Sequence, residues 1–174
     1  MSQQYQFAAD TGKILDIVID SLYSQKEIFL RELVSNASDA ISKRQFDSLQ
    51  GGAAGSFHGL ISIAVDKKAK RLTIADNGIG LNDEDLKNTL GSIASSGTKA
   101  FLEQMEQSDK KSKGQNQLIG QFGVGFYSAF MVAERVEVLS KKSDSDEAFC
   151  WASDGKAGFT ISSADKRDTG TEIT

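Results

Sequence analysis

The chain has 174 residues, 39% hydrophobic and 25% charged, with a formal net charge of −4; this suits one domain with a real core and argues against gripping nucleic acid or anionic membrane as its main task. No apolar run approaches the ~18 residues that span a bilayer, and the first residues lack the basic and apolar regions of a signal peptide, so the expected location is cytoplasmic. Cys150 is the single cysteine, which excludes an internal disulfide or a cysteine zinc cluster, and His58, the single histidine, sits in a Gly/Ala-rich loop, which argues against histidine-based triads and metal clusters.

In chain order, residues 13–23 place Ile14, Leu15, Val18 and Leu22 at helical spacing, and Ser24-Gln25-Lys26-Glu27 is a capping box that opens a second helix over about 25–49. Gly51-Gly52 stop that helix, and Gly55, Ser56 and Gly59 mark a loop. Strands at 60–65 and 71–75 form a hairpin across the charged turn 66–70. Asn82 caps a short helix over 83–90. From Gly91 to Gly125 the chain is rich in Gly, Ser, Lys and Gln with little core pattern, the composition of a functional lid or an insertion. A helix is expected over 126–133, then short strands at 135–139, 148–152, 159–162 and 171–174. Cys150 falls in one of these strands, where a small buried hydrophobe is the expected role. Helices first and antiparallel strands later predict an α+β two-layer sandwich rather than a wound βαβ sheet. The chain stops inside the last strand, at Glu172-Ile173-Thr174, which predicts an incomplete sheet edge and a domain cut short at its C-terminus.

Three stretches carry candidate chemistry. On the second helix, Asn36 lies about 40° from Glu32 and Asp39 about 20° to its other side at 100° per residue. Two carboxylates and an amide oxygen thus form one stripe beside the apolar positions Phe29, Leu30, Leu33, Ala37, Ala40 and Ile41, an arrangement able to hold a water and a hard cation. A polar stripe is also the ordinary solvated side of an amphipathic helix. Against that, Ser35, Asn36, Ser38 and Asp39 are poor residues for a helix interior, because their side chains compete for the backbone. Next, Asp76-Asn77-Gly78-Ile79-Gly80 sets a carboxylate at a strand end before two glycines, where backbone can approach a flat ligand while Asp76 accepts from an exocyclic amine; the same residues also make a simple Asn-Gly turn. Finally, Gly120-Gln121-Phe122-Gly123-Val124-Gly125 leads into a helix, whose exposed N–H groups and dipole favour phosphate, although a Gly-rich hinge would look the same. No strand precedes this loop as a Rossmann fingerprint requires, and 91–99 reads Gly-Thr-Lys rather than the Gly-Lys-Thr of a P-loop.

Taken in order, Glu32/Asn36/Asp39, Asp76/Gly78/Gly80, Gly97-Thr98, Gly120/Gly123/Gly125 and Gly170-Thr171 resemble the GHKL ATPase superfamily with its Bergerat α/β sandwich. The wording over 23–40 and 118–128 resembles the N-terminal domain of the heat-shock protein 90 chaperones, of the bacterial HtpG type, along essentially the whole chain. The resemblance implies a mostly antiparallel sheet covered by helices on one face, one nucleotide-binding domain over 1–174, and an ATP lid over 91–125. It implies Glu32 as the general base for the attacking water, Asn36 as a ligand to Mg²⁺, and Asp76 as acceptor for the adenine amine of ATP or ADP, supported through waters by Gly80 and Thr171. Ala40, Ile79, Leu81 and Phe126 would wall the pocket. Gly120, Gly123, Val124 and Gly125 would cradle phosphates, Gly97 and Thr98 would belong to the lid, and Asp39 and Lys43 would support the rim. Three positions depart from the family pattern: Ser95 where Lys is frequent, Leu81 where Met is usual and Thr89 where many relatives have Asn. The family draws a catalytic arginine from a middle domain and dimerises through a C-terminal one. The implied function is therefore that of the ATP-binding domain of a stress-response chaperone acting on unfolded clients, with nucleotide bound but only weakly hydrolysed by this portion alone. Mismatch-repair, type II topoisomerase and sensor-kinase relatives share the fold; the presence of Glu32 disfavours the sensor kinases, while the DNA-directed relatives, which carry that Glu, are disfavoured by the wording around Asn36 and by the acidic charge.

Overall fold

The structure is a computed structural model that describes residues 2–6, 27–50, 57–91, 125–156 and 158–174. The helix expected over 13–23, most of the capping box, the glycines at 51–55 and nearly all of the lid, including Ser95, Gly97, Thr98, Gly120, Gly123 and Val124, lie outside the described residues.

The described elements are β1 (Ser2–Gln6), α1 (Ile28–Gln50), β2 (Ile61–Asp66), β3 (Arg71–Asp76), α2 (Asp83–Leu90), a 3₁₀ helix (Gly125–Met131), β4 (Val136–Lys141), β5 (Ala148–Ser153), β6 (Gly158–Ala164) and β7 (Gly170–Ile173). The strands make one sheet in the order β1-β6-β5-β4-β7-β3-β2, and every neighbouring pair is antiparallel. With the helices this gives the expected α+β two-layer sandwich. No described helix is long and apolar enough to cross a membrane.

Register explains which face is buried, because directly paired residues project to the same side. Ile74 pairs with Ile173, Ile173 with Val138, Val138 with Trp151, and Trp151 with Ile161. That row carries the apolar core, in which Ile74, Val138, Trp151 and Ile161 are all buried. The opposite face bears Arg71, Thr73, Glu137, Thr160 and Ser162. Cys150, paired with Leu139 and Ser162, belongs to that second face and is only half-buried, so it is not the core residue expected from its strand. Burial still pushes its thiol pKa up.

An aromatic chain crosses the core. Tyr5 stacks on Phe159 at 5.2 Å, Phe159 on Trp151 at 5.8 Å, and Phe126 meets Trp151 edge-on at 5.5 Å and Tyr127 at 5.4 Å. Lys87, paired with Asp83 one turn earlier at 2.7 Å, lies 5.1 Å over the Tyr5 ring and ties α2 to β1. Trp151 is fully buried, and its Nε1 has no hydrogen-bond partner among the described residues. Trp151→Ala is therefore expected to cost about 3–5 kcal/mol through cavity formation. Trp151→Phe loses ring area but no hydrogen bond, so a smaller loss is expected; urea midpoints followed by circular dichroism check the order.

Two further expectations change. The segment at 126–133 is a 3₁₀ helix ending at Met131 rather than an α-helix. Five consecutive residues, Gly125 to Ala129, are buried, so packing on all sides replaces a single amphipathic face. The Ser128 hydroxyl donates to the Gly125 carbonyl three residues back, matching the tighter repeat. The terminal strand β7 is also not a sheet edge: it lies between β4 and β3, and β1 and β2 form the edges. Strand β1 had no sequence signal, because Ser2-Gln3-Gln4-Tyr5-Gln6 is poor in β-formers and gains its order by pairing with β6.

Candidate functional site

Helix α1 meets the sheet through a narrow stripe. Leu33 and Ala37 are buried, and the next residue in that i, i+4, i+7 series, Ala40, lies where the β3–α2 turn crosses the helix. A Cβ on Gly78 would sit 2.6 Å from both the Ala40 Cβ and its carbonyl carbon, so this approach requires a small residue on each side. The Ile79 N–H donates to the Ala40 carbonyl at 3.0 Å. One turn further, Arg44 Nη1 donates to the Asn77 carbonyl at 2.6 Å. The Asn77 side chain spans to the strand before the turn, accepting from Leu60 N–H at 2.7 Å and donating to the His58 carbonyl at 2.8 Å. The turn is held from α1 and from the start of β2 at once.

The far side of the turn is tied to β4. Leu81 N–H donates to Ser140 Oγ at 2.8 Å, and Ser143 N–H donates to the Ile79 carbonyl at 2.8 Å. Gly80, at φ 71°, passes so close to β4 that an added Cβ would lie 2.0 Å from the Lys141 carbonyl oxygen. Asp76, the last residue of β3, pairs with Thr171, and Thr171 pairs with Ser140. All three therefore project from the core side of the sheet, at one end of it. Asp76 Oδ1 accepts from Gly78 N–H at 2.7 Å. Burial pushes the Asp76 pKa above the usual carboxylate value, opposed by the backbone N–H groups of Gly78 and Thr171 and by the Lys166 charge. A desolvated carboxylate at the end of a strand, with capacity left to accept, is a strong hydrogen-bond acceptor for a buried donor.

The remaining wall is α1 and the start of the 3₁₀ helix. A Cβ on Gly125 would lie 2.4 Å from Glu32 Oε2, so the carboxylate rests directly on the glycine. Glu32 is half-buried, whereas Asn36, Asp39 and Lys43 are exposed on α1. Ile79 is half-buried in the turn, and Leu81 packs on the core. Thr171 is 7% exposed. The Phe126 ring lies in the core against Trp151 and Tyr127. Thr89 is exposed on α2. The structure thus brings Glu32 and Gly125 together at one end and Ala40, Asp76, Ile79, Gly80, Leu81 and Thr171 at the other.

Ser140 was not foreseen. It is fully buried, with Thr171 Oγ1 at 2.8 Å and the Gly170 carbonyl at 3.3 Å. Its signal was present in the alternation Val136, Val138, Ser140, which puts a hydroxyl at an inward position where an apolar residue is the rule. Arg44 and Asn77 carried no comparable pattern. A cavity of about 630 Å³ lies elsewhere, lined by Phe29, Leu33, Leu72, Ile74 and Ile173 among others, and includes none of the predicted site residues. It opens where β3 and β4 continue past the last rungs of β7.

Among the described residues, the candidate site thus comprises Glu32 of the α1 stripe against Gly125, and the strand-end Asp76 with the two glycines that follow it. The family described as histidine kinase-, DNA gyrase B- and HSP90-like ATPase matches residues 23–157. Similar proteins include the Chaperone protein HtpG of Roseobacter denitrificans, 52% identical over 176 residues that cover 100% of this chain and 28% of the relative. The Chaperone protein HtpG of Campylobacter jejuni subsp. jejuni serotype O:6 is 53% identical over 97% of the chain and 28% of its own length, and that of Gluconobacter oxydans 49% over 99% and 27%. The chain spans a little over a quarter of the length of these relatives. It belongs to the histidine kinase-, DNA gyrase B- and HSP90-like ATPase family.

Proposed function

We propose that this chain is the ATP-binding domain of an ATP-dependent molecular chaperone that assists protein folding, and that Asp76 recognises the adenine. The observation that carries this reading is the half-buried Asp76 carboxylate in one row with Thr171, beside a turn whose glycines let backbone come close. In it, Asp76 accepts from the adenine amine, with Thr171 and Gly80 supporting the base and Ala40, Ile79 and Leu81 beside it. Glu32 draws a proton from the water that attacks the terminal phosphoryl group. Residues 120–126 face the phosphates, and Asp39, Lys43, Thr89, Ser95, Gly97 and Thr98 flank the site.

Mg²⁺ fits the donor set. Asn36 offers one amide oxygen on the exposed side of α1. That suits an ion bound through one or two protein oxygens and the nucleotide phosphates, where it would neutralise developing charge. The lid assignment for 91–125 rests on its composition and on its two ends, Gly91 bonded to the Leu86 and Lys87 carbonyls and Gly125 against Glu32. His58, the only histidine, precedes β2 outside any helix, which counts against a helix-borne phosphoacceptor within this chain. Client proteins, a homodimer formed through a C-terminal domain, and a cytoplasmic role in the stress response complete the proposal.

Isothermal calorimetry with Mg-ATP tests it directly, and an absence of binding by the folded chain overturns it. Glu32→Ala is expected to leave the Kd within about threefold while lowering single-turnover hydrolysis by roughly 10²- to 10⁴-fold, the usual worth of a general base. Equal rates in the two proteins would remove Glu32 from the mechanism.

A further inference from the structure

We infer that Ser140 is a positioning residue for base recognition, holding Leu81 and Thr171 in fixed places beside Asp76 and thereby making the site selective for adenine over guanine. The inference rests on the reading of Asp76 as the adenine acceptor.

Ser140 joins two chain segments that are far apart in sequence. Its hydroxyl accepts from Leu81 N–H at 2.8 Å, on the β3–α2 turn, and contacts Thr171 Oγ1 at 2.8 Å and the Gly170 carbonyl at 3.3 Å, both on β7. The side chain is fully buried, so no bulk water can replace these partners. A serine hydroxyl has one hydrogen and two lone pairs. Leu81 N–H can only donate, which commits one lone pair. If the hydrogen goes to Gly170, the second lone pair receives the Thr171 hydroxyl hydrogen, and every group is satisfied. Thr171 then presents only lone pairs outward. If the hydrogen goes instead to Thr171 Oγ1, the threonine's own hydrogen is released to a ligand. Ser140 therefore sets whether Thr171 acts as donor or acceptor, while its bond to Leu81 fixes the opposite wall.

That control bears on purine choice. Adenine and guanine present different donor and acceptor patterns on the edge that meets Asp76, and a site built to one pattern leaves buried groups unpaired against the other. Without Ser140, the Thr171 hydroxyl rotates to suit either base and Leu81 N–H loses its acceptor. Selectivity falls because the rejecting element is lost as well as the attractive one.

The test compares ATP and GTP titrations, each with Mg²⁺, on the wild-type chain, Ser140→Ala, Ser140→Cys and Asp76→Asn, with thermal melts confirming that each is folded. Ser140→Ala is expected to weaken ATP about tenfold and GTP by less than twofold, so the ratio of the two affinities collapses. Ser140→Cys, of similar shape with a weak donor and acceptor, is expected to recover part of that ratio. A purely structural role would lower both affinities together and leave their ratio intact, which overturns the inference. An unchanged ATP affinity in folded Ser140→Ala overturns it too, while the adenine-site reading stands provided Asp76→Asn still loses ATP. If Asp76→Asn binds ATP as the wild type does, the site reading fails and this inference with it.

Discussion

Replacing Asp76 by Asn is expected to raise the Kd for Mg-ATP by roughly 10- to 140-fold, the equivalent of the ~1.5–3 kcal/mol carried by a hydrogen bond to a charged group. The unliganded protein should lose little stability near neutral pH. The reason lies in the sign of the Asp76 shift. Burial raises its carboxyl pKa above the ordinary 3.8, so the native state holds this proton more tightly than the unfolded chain does. A group of that kind favours folding below the unfolded value, and the contribution is lost as pH rises through the raised native value. Near neutral pH the ionised carboxylate is thus a cost to folding that serves binding. Affinity runs the other way, since only the carboxylate accepts with full strength. ATP binding by the wild-type protein is therefore expected to weaken as pH falls into the window above 3.8, and Asp76→Asn to lack that step. Calorimetry at several pH values, with urea unfolding of both proteins alongside, checks both signs. An unchanged Kd in Asp76→Asn would exclude the carboxylate from recognition.

The largest loss of stability is expected at the glycines that bring the turn and β7 against their neighbours. At Gly170, φ is 128° and an added Cβ would lie 2.1 Å from the Asp76 carbonyl oxygen; at Gly80, φ is 71° and the Cβ would lie 2.0 Å from the Lys141 carbonyl oxygen. Both neighbours are backbone in or at the end of a strand and cannot turn aside. Strained φ costs about 1–3 kcal/mol and overpacking a further ~1–3, so either Gly→Ala change is expected to remove roughly 2–6 kcal/mol. Against a total of about 5–15 kcal/mol for a typical domain, Gly170→Ala brings the fold to the edge of unfolding. Gly155 supplies the contrast. Its φ of 75° is nearly that of Gly80, but its Cβ would meet the Phe130 ring at 2.9 Å, a side chain that can shift. Gly155→Ala should then cost little more than the ~1–2 kcal/mol of left-handed backbone strain. Urea midpoints for the three variants separate the two contributions, and equal losses at Gly155 and Gly170 would contradict the clash at Asp76.

Much of the architecture was legible because local patterns decided it. Asn82 and Asp85 form the reciprocal cap that starts α2, and the helix over 83–90 follows from that cap with its apolar spacing. The short apolar and β-branched runs bounded by turn residues let the positions of β2 to β7 be read within a residue or two, and in β4 and β6 the alternation also names the inward face. The stripe of Glu32, Asn36 and Asp39 and the Asp76 turn were visible as residue types whose spacing is set by helix and turn geometry. In the fold, Glu32 came against Gly125, and Asp76 came into register with Thr171.

Other features had no local cause. Strand β1 is polar and owes its order to β6; the 3₁₀ helix owes its tightness to burial on all sides; β7 became interior because β3 and β4 both pair with it. Ser140 gained its importance only when antiparallel register set it beside Thr171 and the turn folded Leu81 over it. Sequence by itself determined most of the element types and the family, and it offered Asp76 and Glu32 as candidates for accepting an amine and drawing a proton from water, since these depend on composition and short-range spacing. Tertiary structure alone decided which hydroxyl faces which carbonyl and how far Asp76 is desolvated. Those are properties of groups brought together from chain segments dozens of residues apart.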